Sequence, residues 1–329
     1  MKTLKIFSDL PLTEPALKLL QTGVAPHEVI RPARLAASVL GKSEPDPVFE
    51  EADVAFGQPD VACVRDSARL RWVQLASAGF TRFDTPDFRA LAARGSLLVT
   101  NSAMVYAAPC AEHVFAFLLA QARQLPVALA SQCAGGSAGW NQLRHSCTPL
   151  SGQKVLLLGY GAIAIRLVHL LRPLAMPITA FRRRPRGDEG LPIVTAGQLP
   201  QALAEADHVI NILPENADSR HFFTAERFAA MKPGAVFYNI GRGTTVDQGA
   251  LVAALQTNHL AAAWLDVTDP EPLPPEHPLL SAPNCHITPH IAGGHRNEAE
   301  SLVRHFLDNF QRFLRGTPLQ DRIMYGKMD

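Results

Sequence analysis

Gly159, Gly161 and Ala164 stand in the order G-x-G-x-x-A, directly after the apolar run VLLL and at the head of a helical pattern. A glycine at 159 permits a tight turn and one at 161 lets the backbone approach a pyrophosphate. The following helix N-terminus offers unpaired N–H groups and a favourable dipole. Ala164 takes the third position, where close helix-to-strand packing tolerates a methyl group. Gly159, Tyr160, Gly161, Ala162 and Ile163 are therefore the expected dinucleotide-binding turn. An NAD site would place an acid about 20 residues further on to accept from the ribose 2′-hydroxyl. Arg182 stands there instead, followed by Arg183 and Arg184. Guanidinium groups bind a 2′-phosphate through charge-assisted, often bidentate contacts, so NADP is the preferred cofactor and NAD the alternative. A solvated basic loop is the other reading of the same arginines.

Three more stretches end predicted strands: NIGRGTTVD with Arg242, LDVTDPEPLP with Asp266 and Glu271, and ITPHIAGG with His290. In an open α/β sheet the C-terminal strand edge faces the ligand crevice, so an arginine, a carboxylate and an imidazole delivered there can meet. Each also has a structural alternative. An arginine beside glycines can cap or face solvent, Asp266 can cap a turn, Glu271 can lie in an exposed proline loop, and His290 can be a satisfied structural histidine. The remaining histidines, His113 among them, show no metal-ligand spacing and read as structural, so no metal is expected.

The elements that must deliver these groups are short apolar runs alternating with helical patterns from end to end, which reads as α/β with mostly parallel sheets. In the first hundred residues strands are predicted at 4–8, 54–57, 72–75 and 97–100. Between the last two, Thr85 suits a cap, Pro86 the first helical position and Gly95 the stop. A long helix is predicted over 104–123, then a loop through CAGGSAGWNQLRHSCTPLSG in which Trp140 lines a site or, preferably, packs. Further strands are predicted at 178–181, 208–213, 235–240, 260–267 and 285–288, with helices at 224–231 and 247–255. The last predicted helix, 296–315, carries Leu302, Phe306, Phe310 and Phe313 on one stripe and Gly316 at its end.

At 329 residues the chain is long enough for about two domains. A net charge of +1 leaves no global field to recruit nucleic acid or an anionic membrane. Five scattered cysteines without C-x-x-C spacing fit a reducing, cytoplasmic setting better than a disulfide scaffold. The N-terminus lacks the apolar run of a signal peptide, and no apolar stretch nears the roughly 18 residues of a membrane span.

Together the G-x-G-x-x-A turn, NIGRG, LDV with PEPLP, and TPH, with SAGF at 77–80 and AEH at 111–113, resemble the D-isomer-specific 2-hydroxyacid dehydrogenase family over nearly the whole chain. The resemblance implies two Rossmann-like lobes with doubly wound parallel sheets and a deep interdomain cleft. A flavodoxin-like substrate-binding domain would take residues 1–100 plus 292–329, and a dinucleotide-binding domain residues 101–291. It further implies that Arg242 binds the substrate carboxylate, His290 is the general acid/base and Glu271 hydrogen-bonds that histidine. Asp266 would contact the nicotinamide carboxamide, Pro214 and Ile240 would line the cofactor, and Ser77, Ala78 and Gly79 would hold the carboxylate through backbone N–H groups. The implied activity is NADP(H)-dependent reduction of a small 2-keto acid such as glyoxylate or hydroxypyruvate, in a homodimer. A cofactor-sensing corepressor or adaptor, and a degenerate Rossmann protein without cofactor, are the alternatives.

Overall fold

The computed structural model describes residues 3–38, 41, 43–95, 97–133 and 139–325, which fall into two compact units. One holds the described residues through Tyr106 and those from Gly294 onward; the other runs Ala107–Gly293.

The first unit is built on a parallel sheet of β1 (Lys5–Ser8), β2 (Glu28–Ile30), β3 (Val54–Gly57), β4 (Trp72–Leu75) and β5 (Leu98–Thr100), ordered β2-β1-β3-β4-β5. This is the flavodoxin-like order, with its switch point between β1 and β3. Every residue of β3 and β4 is buried, as strands covered on both faces require. Phe7, Phe49, Val73, Phe83 and Phe88 pack one side. On the other, the helix Glu298–Arg315 buries Leu302, Phe306 and Phe310, and the Phe306 ring stacks on Phe56 at 4.4 Å and on Trp72 at 5.2 Å. Such aromatic pairs add about 1 kcal/mol each beyond their buried area. Asn309, buried on the same helix, donates to Gln74 Oε1 and accepts from Gln320 N–H, so its polar head is satisfied. The stripe read from the sequence thus belongs to the first unit although 187 residues of the second intervene.

The second unit carries β6 (Val155–Leu158), β7 (Ile178–Phe181), β8 (Ile193–Val194), β9 (His208–Asn211), β10 (Val236–Asn239), β11 (Ala262–Leu265) and β12 (Cys285–Ile287), all parallel and ordered β12-β11-β10-β9-β6-β7-β8. The order reverses between β6 and β9, the dinucleotide-binding arrangement. Phe223, Phe228 and Phe237 form a fully buried cluster, with centroids 4.6 Å apart for Phe223 and Phe237. Thr85, Thr224 and Asp247 cap helices, each accepting a backbone N–H three residues on.

Contrary to the expectation from the sequence, the helix Ala103–Ala122 is long and apolar enough to span a membrane, yet Glu112 and His113 interrupt it, and His113 is hydrogen-bonded inside the second unit. The loop predicted over 133–152 is partly helical, at Trp140–Ser146, and a further helix, Leu125–Cys133, precedes it. The glycines at 135 and 136 lie outside the described residues. Trp140, expected to pack, is 58% exposed, with the Arg144 guanidinium over its ring. The short elements β2, β8 and Leu199–Glu205 carry too few residues for a periodicity to show.

Candidate active site

Gly159 follows β6 with a φ of +99°, the left-handed region that glycine enters without a Cβ clash. A Cβ there would also stand 3.2 Å from the Ile212 carbonyl oxygen just past β9. Gly161 caps the helix Ala162–Leu171 without a side-chain acceptor, which leaves the first-turn N–H groups to an incoming anion. A Cβ at Gly161 would meet no protein atom within 4 Å, so this glycine keeps an approach open from outside rather than making room for packing. Ala164 is fully buried. These observations fit a dinucleotide pyrophosphate. Tyr160 lies in the same turn, its hydroxyl donating to the Glu189 carbonyl, and Pro214 is exposed just past β9. Ile240 corrects its expectation: it is 6% exposed, so its side chain belongs to the core and is not offered to a cofactor.

The arginine run divides. Arg182, expected at a 2′-phosphate, is 7% exposed and ion-paired at 3.3 Å with Glu189, whose carboxylate also accepts from the N–H groups of Arg186 and Gly187. Its charge is compensated within the protein, and that corrects the assignment. The Arg186 N–H, then burial in opposition, then the other N–H groups and Arg182 set the Glu189 carboxyl, which ends below the usual range. Arg183 and Arg184 remain exposed, Arg183 in contact with Asp218.

At the C-terminal edge of β10 to β12 the other residues gather. His290 Nδ1 lies 2.9 Å from Glu271 Oε2, and Glu271 Oε1 accepts the Thr268 N–H at 2.9 Å. Burial acts to raise the Glu271 carboxyl, but the hydrogen bonds from His290 and Thr268 and the charges of His290 and Arg242 outweigh it and hold the pKa below the ordinary range. The acid stays ionised beside the ring. Among the described residues His290 Nε2 has no protein partner. His290 itself sits at φ +52°, a left-handed conformation costing a β-carbon residue roughly 1–2 kcal/mol, held by its N–H shared between the carbonyls of Asp266 and Thr288.

Asp266, expected at the nicotinamide, is engaged within the protein. Its carboxylate, 1% exposed, accepts the Thr288 hydroxyl at 2.6 Å and the N–H groups of Ile291 and Ala292 at 2.9 and 2.8 Å. Enclosed in this way, it fastens the two ends of the loop that carries His290.

Arg242 precedes a single tight turn, Gly243–Thr245. Its carbonyl is pinned by Thr245 Oγ1 at 2.6 Å and Asn239 Nδ2 at 3.1 Å, and buried Asn211 in turn donates to both of those side chains. One guanidinium nitrogen donates to Gly241 O; among the described residues the others have no protein partner. A Cβ on Gly243 would fall 2.0 Å from the Thr268 carbonyl, so glycine is what lets the arginine turn lie against the loop leading to Glu271.

In the first unit, the Ser77–Gly79 loop follows β4. Its carbonyls are engaged: Ser77 O by Ser102 N–H, Ala78 O by Asn101 Nδ2 and Gly79 O by the Ser77 hydroxyl. Among the described residues the N–H groups of Ser77, Ala78 and Gly79 have no protein acceptor, which makes the loop a donor surface.

His113, read as structural, reaches the same neighbourhood as His290. Its Nε2 lies 3.2 Å from Thr288 Oγ1 and 3.6 Å from Asp266 Oδ1, and burial pushes its pKa down against the pull of Asp266. The AEH triplet was the available signal. The partnership with residues 153 and 175 positions away had none. Among the described residues no three of His, Cys, Asp and Glu gather as a metal site.

Residues 115–292 match the family described as D-isomer specific 2-hydroxyacid dehydrogenase, NAD binding domain. The chain is 30% identical over 311 residues to glyoxylate/hydroxypyruvate reductase B of Escherichia coli O9:H4, covering 93% of each. It is similar to two solved structures. One is the D-isomer specific 2-hydroxyacid dehydrogenase of Xanthobacter autotrophicus Py2 in complex with NADPH and MES, at 26% identity and a TM-score of 0.76 over 98% of each chain. The other is the NADPH-dependent glyoxylate/hydroxypyruvate reductase of Sinorhizobium meliloti in complex with NADP and malonate, at 25% identity and a TM-score of 0.75 over 98% of each chain.

Proposed function

Because the chain belongs to the D-isomer specific 2-hydroxyacid dehydrogenase family, and is an oxidoreductase of that kind, we propose that it reduces a small 2-keto acid of the glyoxylate or hydroxypyruvate type with NADPH, His290 acting as the general acid. When bound, the reduced nicotinamide supplies a hydride to C2. The protonated imidazole gives the Nε2 proton to the carbonyl oxygen, so the keto group gains hydride and proton and becomes the hydroxyl. Glu271, on Nδ1, orients the ring and stabilises its cationic form before transfer. Arg242 meets the planar carboxylate with a planar fork, which a lysine could not match.

The observation that carries this reading is the 2.9 Å contact between His290 and Glu271, with Nε2 left to a ligand. The preference for NADP rests on exposed Arg183 and Arg184 at the end of β7, and on the NADPH and NADP in the two similar structures. A homodimer is part of the same reading, supported by exposed Leu125, Val127 and Leu129 on one short helix. The test is a spectrophotometric panel of 2-keto acids with NADPH and NADH side by side. NADPH consumption with glyoxylate or hydroxypyruvate is expected; no oxidation of either cofactor by any keto acid refutes the proposal.

A further inference from the structure

His290 holds a left-handed backbone, and such a conformation persists where its surroundings over-determine it. The Asp266 carboxylate ties its loop at both ends, taking the Thr288 hydroxyl on one side and the Ile291 and Ala292 N–H groups on the other. A further contact reaches the same point from a helix. His113 Nε2, on Ala103–Ala122, lies 3.2 Å from Thr288 Oγ1.

The helix presents that ring as part of a packed face. His113, Phe117 and Gln121 stand four residues apart and so share one side of it. The His113 ring meets Phe117 edge-on at 4.4 Å, Phe117 lies 4.9 Å from Trp264 of β11, and Gln121 Oε1 accepts the Trp264 indole N–H at 2.8 Å. Trp264 in turn lies 4.2 Å from the His286 ring on β12, the strand that ends just before Thr288. The imidazole is therefore held by its neighbours against the two strands that deliver Asp266 and Thr288.

The direction of the His113 bond follows from the hydrogens available. A carboxylate accepts and does not donate, so the one hydrogen of the Thr288 hydroxyl lies on the 2.6 Å contact to Asp266 Oδ1. Thr288 Oγ1 then offers lone pairs alone, and His113 Nε2 must carry the hydrogen between them. Burial favours the neutral ring against the pull of Asp266, which makes His113 the Nε2–H tautomer. Donation runs from His113 to Thr288 to Asp266 and ends on the group that also receives the far side of the loop. It fixes a hydroxyl rotor that is otherwise free to turn away.

We propose that His113 is a positioning residue for the reaction: as an Nε2–H donor it locks Thr288 onto Asp266 and so keeps the His290 imidazole aimed at the keto oxygen. This rests on the reductase reading above. In this role His113 touches neither substrate nor cofactor and transfers no proton.

The test uses the full chain with NADPH and glyoxylate or hydroxypyruvate. His113→Phe keeps a ring against Phe117 and loses the donor; it should lower kcat about 10-fold, as a misaimed acid does, with little change in the Kd for NADPH measured by fluorescence. His113→Gln carries an N–H the same number of bonds from the backbone and should recover most of kcat. Thr288→Val should lose as much as His113→Phe, and the two together no more than either alone. In the His290→Ala background His113→Phe should cost nothing further. A kcat near wild type in His113→Phe, equal losses in the Phe and Gln variants, additivity with Thr288→Val, or an undiminished loss in His290→Ala overturns the positioning role while the reductase reading stands. Side-chain proton–nitrogen NMR spectra give a readout without turnover: near pH ~8, where an ordinary histidine is neutral, the resonance lost in His113→Gln should be an Nε2–H tautomer, and an Nδ1–H tautomer overturns the proposal. Absence of turnover with every keto acid removes the reductase reading and this role with it.

Discussion

His290 combines a strained backbone, an ionised partner on one ring nitrogen and no protein partner on the other. Its substitution therefore separates chemistry from binding. His290→Ala should lower kcat by about 100-fold or more, the usual contribution of a positioned acid, while the Kd for NADPH measured by fluorescence changes little; near-normal turnover would contradict the role. The arginines after β7 call for a different choice from the one the sequence invites. Replacing Arg182 would remove its ion pair with Glu189, a structural change that would obscure any cofactor effect. Arg183→Ala combined with Arg184→Ala should instead raise the KM for NADPH by about 10-fold or more and that for NADH by much less. Equal losses for the two cofactors would remove the 2′-phosphate assignment.

Strands and helices deliver these residues through their ends. Arg242, Glu271 and His290 all lie just past parallel strands of one sheet, and Gly241 and Gly243 permit the close approach of the connecting loops. The helix Leu125–Cys133 has no such internal task. Leu125, Val127 and Leu129 are 44, 53 and 62% exposed, more apolar surface on nine residues than a solvated helix ordinarily carries. If Leu125 and Leu129, one turn apart on the same face, join two copies, Leu129→Asp should shift the protein from dimer to monomer in analytical ultracentrifugation, with unfolding monitored separately. A wild type that sediments as a monomer, or a variant that remains a dimer, would count against that interface.

For the fold as a whole, pH acts through a group remote from the site. His208, 3% exposed at the start of β9, shares its ring nitrogens with the Tyr238 hydroxyl at 3.0 Å and Gln153 Oε1 at 2.6 Å, an arrangement that suits the neutral ring. Burial holds its pKa at about 4, against an ordinary 6.5. The unfolded chain therefore binds a proton that the folded one refuses. Stability from this group is complete above pH 6.5, falls as pH drops toward 4 and levels off below, with roughly 3 kcal/mol lost at saturation. Urea midpoints should show that slope in the wild type and a flatter one in His208→Gln; parallel curves would exclude His208 as the source.

The dinucleotide turn, the cap at Thr85, the helix starts at 224 and 247, most strands and the apolar stripe of the last helix were legible from residue order, because each depends on neighbours within a few positions. The candidate trio was legible as three motifs at strand ends. What order could not supply was pairing across distance: Glu189 closing on Arg182, Asp266 turning inward to Thr288, Ile291 and Ala292, and His113 arriving beside them. Whether an arginine or a carboxylate faces a ligand or a neighbour depends on which other charge the folded chain brings near it, since a buried charge needs a partner wherever it can find one. That choice is made by packing between segments tens to hundreds of residues apart, and local pattern carries no record of it.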